Sequence, residues 1–454
     1  MAALPTHLWK TLTLGLPLIG SSLAQILIGL TDTLMLGRYS VEALAAGVLG
    51  HTFFFTLFLL GGGFAFGMMG VSADAAGRGD ERAVRRAARM GLWLSLAAGV
   101  VLMVPMWFSE AVLLVLRQEA TVAADAQAYL RIALVGLIPA LLTATLRSHL
   151  SALERTGIVL AATLAAGAMN VALNWVFIFG NLGAPEMGIR GAALASVAVH
   201  VATTLFLVLY AAGGPGMARW ELFRNLHRPD WSELARLFRV GWPVGLTLVS
   251  ESSLFAASAL MMGAIGTEAL AAHGIAMQVA AATFMVHLGL SQAATVRVGR
   301  YAGQGDAADL RRAAVASLLW SGVAVALSMA MYFTFAERIV LAFLDVDDPQ
   351  APAILLLGIR LLMIAAVFQF VDAAQVMALG LLRGLQDTRR PMIYAALSYW
   401  AVGIPVSWLL GFVAGLGAEG IWVGLVVGLA CAATSLMVRF WRMAPLPAVG
   451  AATA

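Results

Sequence analysis

Twelve apolar stretches, each long enough to cross about 30 Å of hydrocarbon as a helix, occupy most of this chain. They lie at 11–36, 44–72, 90–116, 127–150, 158–180, 189–211, 239–263, 270–296, 313–335, 354–381, 392–413 and 420–440. A backbone in lipid must satisfy its own hydrogen bonds, so only helices or closed barrels span. No alternating strand pattern is present. The sequence therefore predicts an all-α integral membrane protein with twelve transmembrane helices. A soluble domain is about 25% charged; here 11% of 454 residues are charged and 61% are hydrophobic. Soluble cores stop growing at roughly 250–300 residues, so this apolar excess must face lipid. The 46 glycines suit close helix approach. The first stretch is longer than a signal-peptide core and has no evident cleavage site, so it reads as a retained helix. Cys431 is the only cysteine and reads as a small apolar side chain.

The basic residues are sorted by face. Of the 28 Lys and Arg residues, 22 fall on the loops of the face that also holds the termini, and 6 on the other. The positive-inside rule then puts both termini in the cytoplasm. The same sorting explains the pI near 9.6 without nucleic acid: the arginines mark helix ends.

The chain repeats internally. Residues 15–88 align without a gap to 241–314 at an offset of 226, so that Pro17 meets Pro243 and Gly79-Asp80 meets Gly305-Asp306. Later, Leu146-Arg147 recurs as Leu382-Arg383. Six spans is an even number, so the repeats are parallel. The expected organisation is a six-helix lobe over 1–211, a cytoplasmic linker over 212–238 and a second lobe over 239–454. Asp230 with Glu233 three residues on resembles a helix start, which predicts a short amphipathic surface helix in the linker.

Ionisable residues within spans are expensive, and so are functional candidates. Asp32 lies toward the outer end of the first span, seven residues after Gln25 and on the same face; it either closes that helix or serves a site. Asn170 and Asn174, four apart, could donate to it or simply join helices. Glu251 is mid-span in Val249-Ser250-Glu251-Ser252-Ser253, where hydroxyls around a carboxylate suit a proton or a Na⁺ ion. Phe255 lies one turn on. Asp372, with Gln369 three residues earlier, forms a polar stripe on its own span. Asp347 and Asp348, before that span, read as a solvated turn or an acidic gate for cations. Four histidines lie in or near spans without metal-ligand spacing. There is no phosphate-cradling loop and no HExxH motif, so the expected protein is no enzyme, carries no cofactor, and is driven by an ion gradient or runs downhill.

In these residues the chain resembles the multidrug and toxic compound extrusion family, NorM-like branch. The matching stretches are Pro17 with Asp32-Thr33-Leu34-Met35-Leu36-Gly37, Leu146-Arg147 through Asn170 and Asn174 to Phe177-Ile178-Phe179-Gly180, Glu251 through Phe255, Leu270-Ala271-Ala272-His273, Val298-Gly299, Asp372, and Leu382-Arg383-Gly384 with Asp387-Thr388. Gly274 departs from the pattern, since a Gln commonly follows that His. The resemblance implies two lobes in a V around a central cavity, and alternating-access export of amphipathic, often cationic drugs in exchange for Na⁺ or H⁺ across the bacterial inner membrane. It further implies a coupling-ion site at Glu251 and Asp372, a first-lobe proton-responsive cluster of Asp32, Asn170 and Asn174, and an acidic cap at Asp347 and Asp348. The bilayer is the expected environment, with no obligatory protein partner. A flippase for a lipid-linked or amphipathic cargo is the alternative, but its anionic cargo would favour a cationic cavity. A membrane-embedded transferase would need a divalent metal at Asp345, Asp347 and Asp348.

Overall fold

The computed structural model describes residues 3–345 and 349–444. Asp347 and Asp348 lie outside the described residues. Within them, twelve helices are long and apolar enough to cross a membrane, and no strand occurs. The first repeat comprises α1 (Leu4–Tyr39), α2 (Val41–Gly77), α3 (Glu81–Trp107), the short α4 (Ser109–Val115), α5 (Ala120–Ala152), α6 (Thr156–Phe179) and α7 (Gly188–Gly213). The second comprises α8 (Trp231–Ile265), α9 (Thr267–Gln304), α10 (Ala307–Leu341), α11 (Ala351–Gly384), a composite span and α14 (Gly417–Met443). The composite span runs α12 (Arg389–Leu397), a π-helical stretch Ser398–Gly403, α13 (Ile404–Trp408) and a second π-helical stretch Leu409–Val413. The third apolar stretch, expected over 90–116, is not one helix. Pro105 sits in the last turn of α3, which ends at Trp107, and α4 follows separately.

The repeat is realised in matching turns. Gly79 (φ 72°) and Gly305 (φ 69°) both take the left-handed conformation that glycine adopts without strain. The aspartate after each caps the following helix: Asp80 accepts from the Ala83 amide and Asp306 from the Asp309 amide. A second matching turn corrects the register expected later in the chain. Glu154 (φ 61°) and Gln386 (φ 59°) hold equivalent left-handed positions. The Arg155 amide donates to Leu150 O, as the Asp387 amide does to Leu382 O. The offset here is 232, so Arg383 corresponds to Ser151 and Arg147 to Leu379. The Leu-Arg match in the sequence pairs residues one turn apart.

The described chain packs as two compact units, Met1–Ile19 with Thr247–Ala454, and Gly20–Leu246. Their borders fall inside α1 and α8, two residues past Pro17 and three past Pro243. The two units thus differ from the linear halves by an exchange of segments. In the first unit, Arg297 donates to the carbonyl of His7 (2.7 Å) and to the hydroxyl of Thr11 (3.0 Å), and the Trp320 indole donates to Leu8 O (3.0 Å). In the other, α8 lies so close to α2 that a Cβ on Gly67 would stand 2.9 Å from the Cα of Gly241.

The linker does not form a separate surface helix. Residues 218–220 make a single 3₁₀ turn, and Asp230 instead caps the transmembrane helix α8, accepting from the Ser232 hydroxyl (2.7 Å) and the Glu233 amide (3.2 Å). Leu234 and Leu237, which follow that cap, pack with Met68, Val71 and Met90. Arg85, Arg89 and Trp93 on α3 donate to the linker carbonyls of Trp220, Arg224 and Leu226. Arg86 pairs with Asp230 at 2.6 Å.

Candidate functional sites

Each unit holds a cluster of buried polar groups around a carboxylate within the spans, and the two clusters are built on different pairs of elements. In the unit of residues 20–246, Asp32 near the end of α1 meets α6. Its Oδ1 accepts from Asn170 Nδ2 (3.0 Å) and from Asn174 Nδ2 (2.5 Å). Asn174 also donates to Asn170 Oδ1 (3.3 Å). The i,i+4 spacing of the two asparagines stacks both amides over one carboxylate. Both asparagines are buried and Asp32 is half-buried. His51 and Tyr129 lie within electrostatic range of Asp32. Gln25, expected on the same face, is exposed and donates to Ser21 O on its own helix (3.2 Å); no hydrogen bond joins it to Asp32.

In the other unit, Glu251 on α8 and Asp372 on α11 are buried, at 7% and 2% exposure, and lie within electrostatic range of each other. Phe370, two residues before Asp372, is 59% exposed; the helix turns its phenyl ring outward and its carboxylate inward. Two of the three hydroxyls read as suiting a cation at Glu251 are engaged elsewhere. Ser253 donates back to Val249 O (2.6 Å), and Ser250 accepts from the Trp400 indole (3.1 Å). Gln375 lies within electrostatic range of Glu251, and its amide nitrogen donates to Tyr399 Oη at 2.7 Å. Tyr399 and Trp400 both belong to the π-helical stretch Ser398–Gly403. π-Helical turns recur at functional sites, and this one joins Tyr399 to Gln375 and Trp400 to Ser250, the residue before Glu251.

Gln369 accepts from Thr283 Oγ1 (2.9 Å), which also pairs with Tyr332 Oη (2.7 Å). Phe255 packs edge-on against Phe368 (6.1 Å between centroids), which packs against Trp422 (5.3 Å), whose indole donates to His273 Nδ1 (3.1 Å). Four buried polar atoms around the carboxylates have no hydrogen-bond partner: Glu251 Oε1, Asp372 Oδ1, Gln369 Nε2 and Gln375 Oε1. Three of the four are acceptors, which is the chemistry of a cation site. Among the described residues no cluster of three or more His, Cys, Asp or Glu side chains is placed to hold a metal ion. Any metal here would be a hard ion on oxygen ligands.

Sequence reasoning gave no site role to Gln375 or Tyr399. Gln375 stands three residues after Asp372, a spacing that was readable. Tyr399 depends on the π-helical turn, which the sequence did not announce.

The MatE family model matches residues 17–176 and again 243–409. The two matches begin at Pro17 and Pro243, one repeat apart. The chain belongs to the MatE family. Two curated relatives, each described as a probable multidrug resistance protein NorM, are 43% identical: that of Rhizobium meliloti over 97% of this chain and 94% of its own, and that of Agrobacterium fabrum over 96% and 94%. The fold matches an outward-facing multidrug resistance MATE family transporter of the MOP superfamily with a TM-score of 0.86 at 21% identity, covering 97% of both chains. It likewise matches a MATE crystal structure in complex with MaL6, with a TM-score of 0.86 over 96% of each chain at 21% identity. The chain is thus a NorM-like, multi-pass member of this transporter family.

Proposed function

We propose that this protein is a multidrug efflux antiporter that exports amphipathic organic cations across a bacterial inner membrane by alternating access, in exchange for Na⁺ or H⁺. It moves its cargo without altering it and needs no cofactor besides the coupling ion. The observation that carries the reading is the pair of buried carboxylates, Glu251 and Asp372, each with an oxygen that no donor reaches. A carboxylate in a membrane interior is costly unless paired. A proton, a sodium ion or an organic cation supplies that pairing, and one cation displaces another. Mutual weakening of drug and coupling ion follows, because linkage is reciprocal. The resemblance of Asp32, Asn170 and Asn174 to the first-lobe cluster of the family supports a second protonatable group in the other unit.

The test is drug-evoked Na⁺ or H⁺ flux in proteoliposomes, with ethidium as the probe. Glu251→Gln and Asp372→Asn should each abolish coupled flux while leaving the protein inserted. Coupled flux that persists undiminished in both variants would defeat the assignment. Imposing Na⁺ and pH gradients in turn identifies the ion.

A further inference from the structure

The start of α1 is fastened to α9 by a buried imidazole that the transport reading does not use. His7, Thr11, Arg297 and Asp309 are all buried, and all belong to the same unit. Arg297 on α9 grips α1 at three points. Its Nη1 donates to His7 O (2.7 Å) and to Thr11 Oγ1 (3.0 Å), and its Nη2 lies 2.8 Å from His7 Nδ1. A guanidinium has donors and no acceptor. Nδ1 is therefore the accepting nitrogen, and the proton of the neutral ring sits on Nε2. That nitrogen stands 3.6 Å from Asp309 Oδ1 on α10, too far for a hydrogen bond. Asp309 Oδ1 also accepts from Arg312 (2.9 Å). Tyr301 on α9 faces the imidazole at 5.5 Å between centroids, and Lys10 on α1 and Arg312 on α10 lie within electrostatic range.

A second proton can enter the ring only at Nδ1, where Arg297 already donates. Two donors 2.8 Å apart repel, and both would then be cationic. Protonation thus exchanges partners. His7 gives up Arg297, while its Nε2–H becomes a charged donor beside Asp309. Tyr301 Oη, 3.5 Å from the same Nη2, is an acceptor to which the guanidinium can turn.

We propose that His7 is a proton-operated latch, which holds the first turns of α1 against α9 while neutral, releases them when protonated, and so slows transport when the face bearing the start of the chain turns acidic. The helix it holds is the one that carries Asp32. The slowing rests on the transporter reading above; the latch itself does not. An opened His7 has the ordinary histidine value near 6.5, and the latched ring has no place for the second proton. Latch stability is therefore full above that value. Below it each opening takes up one proton, and the opening equilibrium rises about tenfold per pH unit.

The experiment is hydrogen exchange of the full-length protein in lipid nanodiscs, read by mass spectrometry on peptides covering residues 4–14 and corrected for the intrinsic pH dependence of exchange. The corrected rate should rise about tenfold from pH 7.5 to 5.5 in the wild type. It should stay level in His7→Gln, whose amide oxygen can accept from Arg297 and does not titrate. Equal protection of the wild type at both pH values overturns the proposal, and so does a His7→Gln variant that opens as steeply as the wild type. Should His7→Gln fail to insert, Arg297→Gln decides: without the guanidinium the ring can be protonated in place, so the rate should again be level, and a persistent tenfold rise overturns the latch. Ethidium transport in proteoliposomes, with the pH on the side of the chain's start lowered from 7.5 to 5.5, should fall less in His7→Gln than in the wild type. Identical transport profiles overturn the slowing. A wild type that moves no ethidium at any pH removes the transporter reading and the slowing with it, while the exchange rates still decide the latch.

Discussion

Asn174 places its amide nitrogen 2.5 Å from Oδ1 of Asp32, joining two helices across 142 residues of sequence. Asn170 reaches the same oxygen at 3.0 Å. A hydrogen bond to a charged group contributes about 1.5–3 kcal/mol. Asn174→Ala should therefore lower ethidium efflux from everted vesicles by about tenfold at limiting ion gradient, Asn170→Ala by less, and Asp32→Asn by at least as much as Asn174→Ala. Wild-type efflux in Asp32→Asn would remove this cluster from the transport cycle.

Tyr399→Phe removes the acceptor of the Gln375 amide while keeping the ring. The bond is neutral and buried, so the expected cost is about 1 kcal/mol, read as a roughly fivefold loss in apparent affinity for the coupling ion with unchanged expression. Titrating efflux against the imposed ion gradient measures it. A loss confined to thermal stability would make Tyr399 purely architectural.

Gly67 has backbone, not a flexible side chain, 2.9 Å from where a Cβ would stand. Gly67→Ala must separate α2 from α8, at a cost of about 1–3 kcal/mol. Melting of the detergent-solubilised protein should fall by several degrees, with Gly79→Ala falling less because nothing lies within 4 Å of its Cβ position and only the backbone strain of φ 72° remains.

Asp230 lies outside the spans. Its carboxylate is lowered from 3.8 to about 2, first by the Ser232 hydroxyl and then by the Arg86 guanidinium. A depressed carboxylate value contributes stability above the unfolded value and loses it as pH falls through the folded one. Asp230→Asn should therefore melt lower than wild type at pH 7, by about 1 kcal/mol for a partly exposed pair. The gap should narrow as pH drops from 4 toward 2. A gap that stays constant over that range would mean that packing, not charge, sets the effect.

The spans and the repeat were legible because both follow from strong local signals, apolar length and repeated Gly-Asp turns. Asp32, Asn170 and Asn174 were legible as intramembrane polar groups at helical spacing, and the fold joins them. Glu251 stood out as an ionisable residue in mid-span, and the fold buries it, but two of the hydroxyls expected around it bond elsewhere. Ser250 and Ser253 bond an indole and a backbone carbonyl, since a short hydroxyl on a helix readily returns to the carbonyl one turn back. The Arg147–Arg383 equivalence failed because two-letter matches in an apolar sequence carry little register information, while left-handed residues at Glu154 and Gln386 carry a great deal. The exchange of segments at Pro17 and Pro243 was not legible at all, because a helix that runs unbroken gives no sign of which neighbours it packs against.

That exchange has a consequence for biogenesis. The segment ending at Ile19 is made early but finds its packing partners late, because those partners are synthesised after Thr247. The other unit cannot close until translation has passed Leu246, deep in the seventh span. A gene divided at the linker would yield two polypeptides that must exchange ends before either is complete, so the two halves are obliged to mature together.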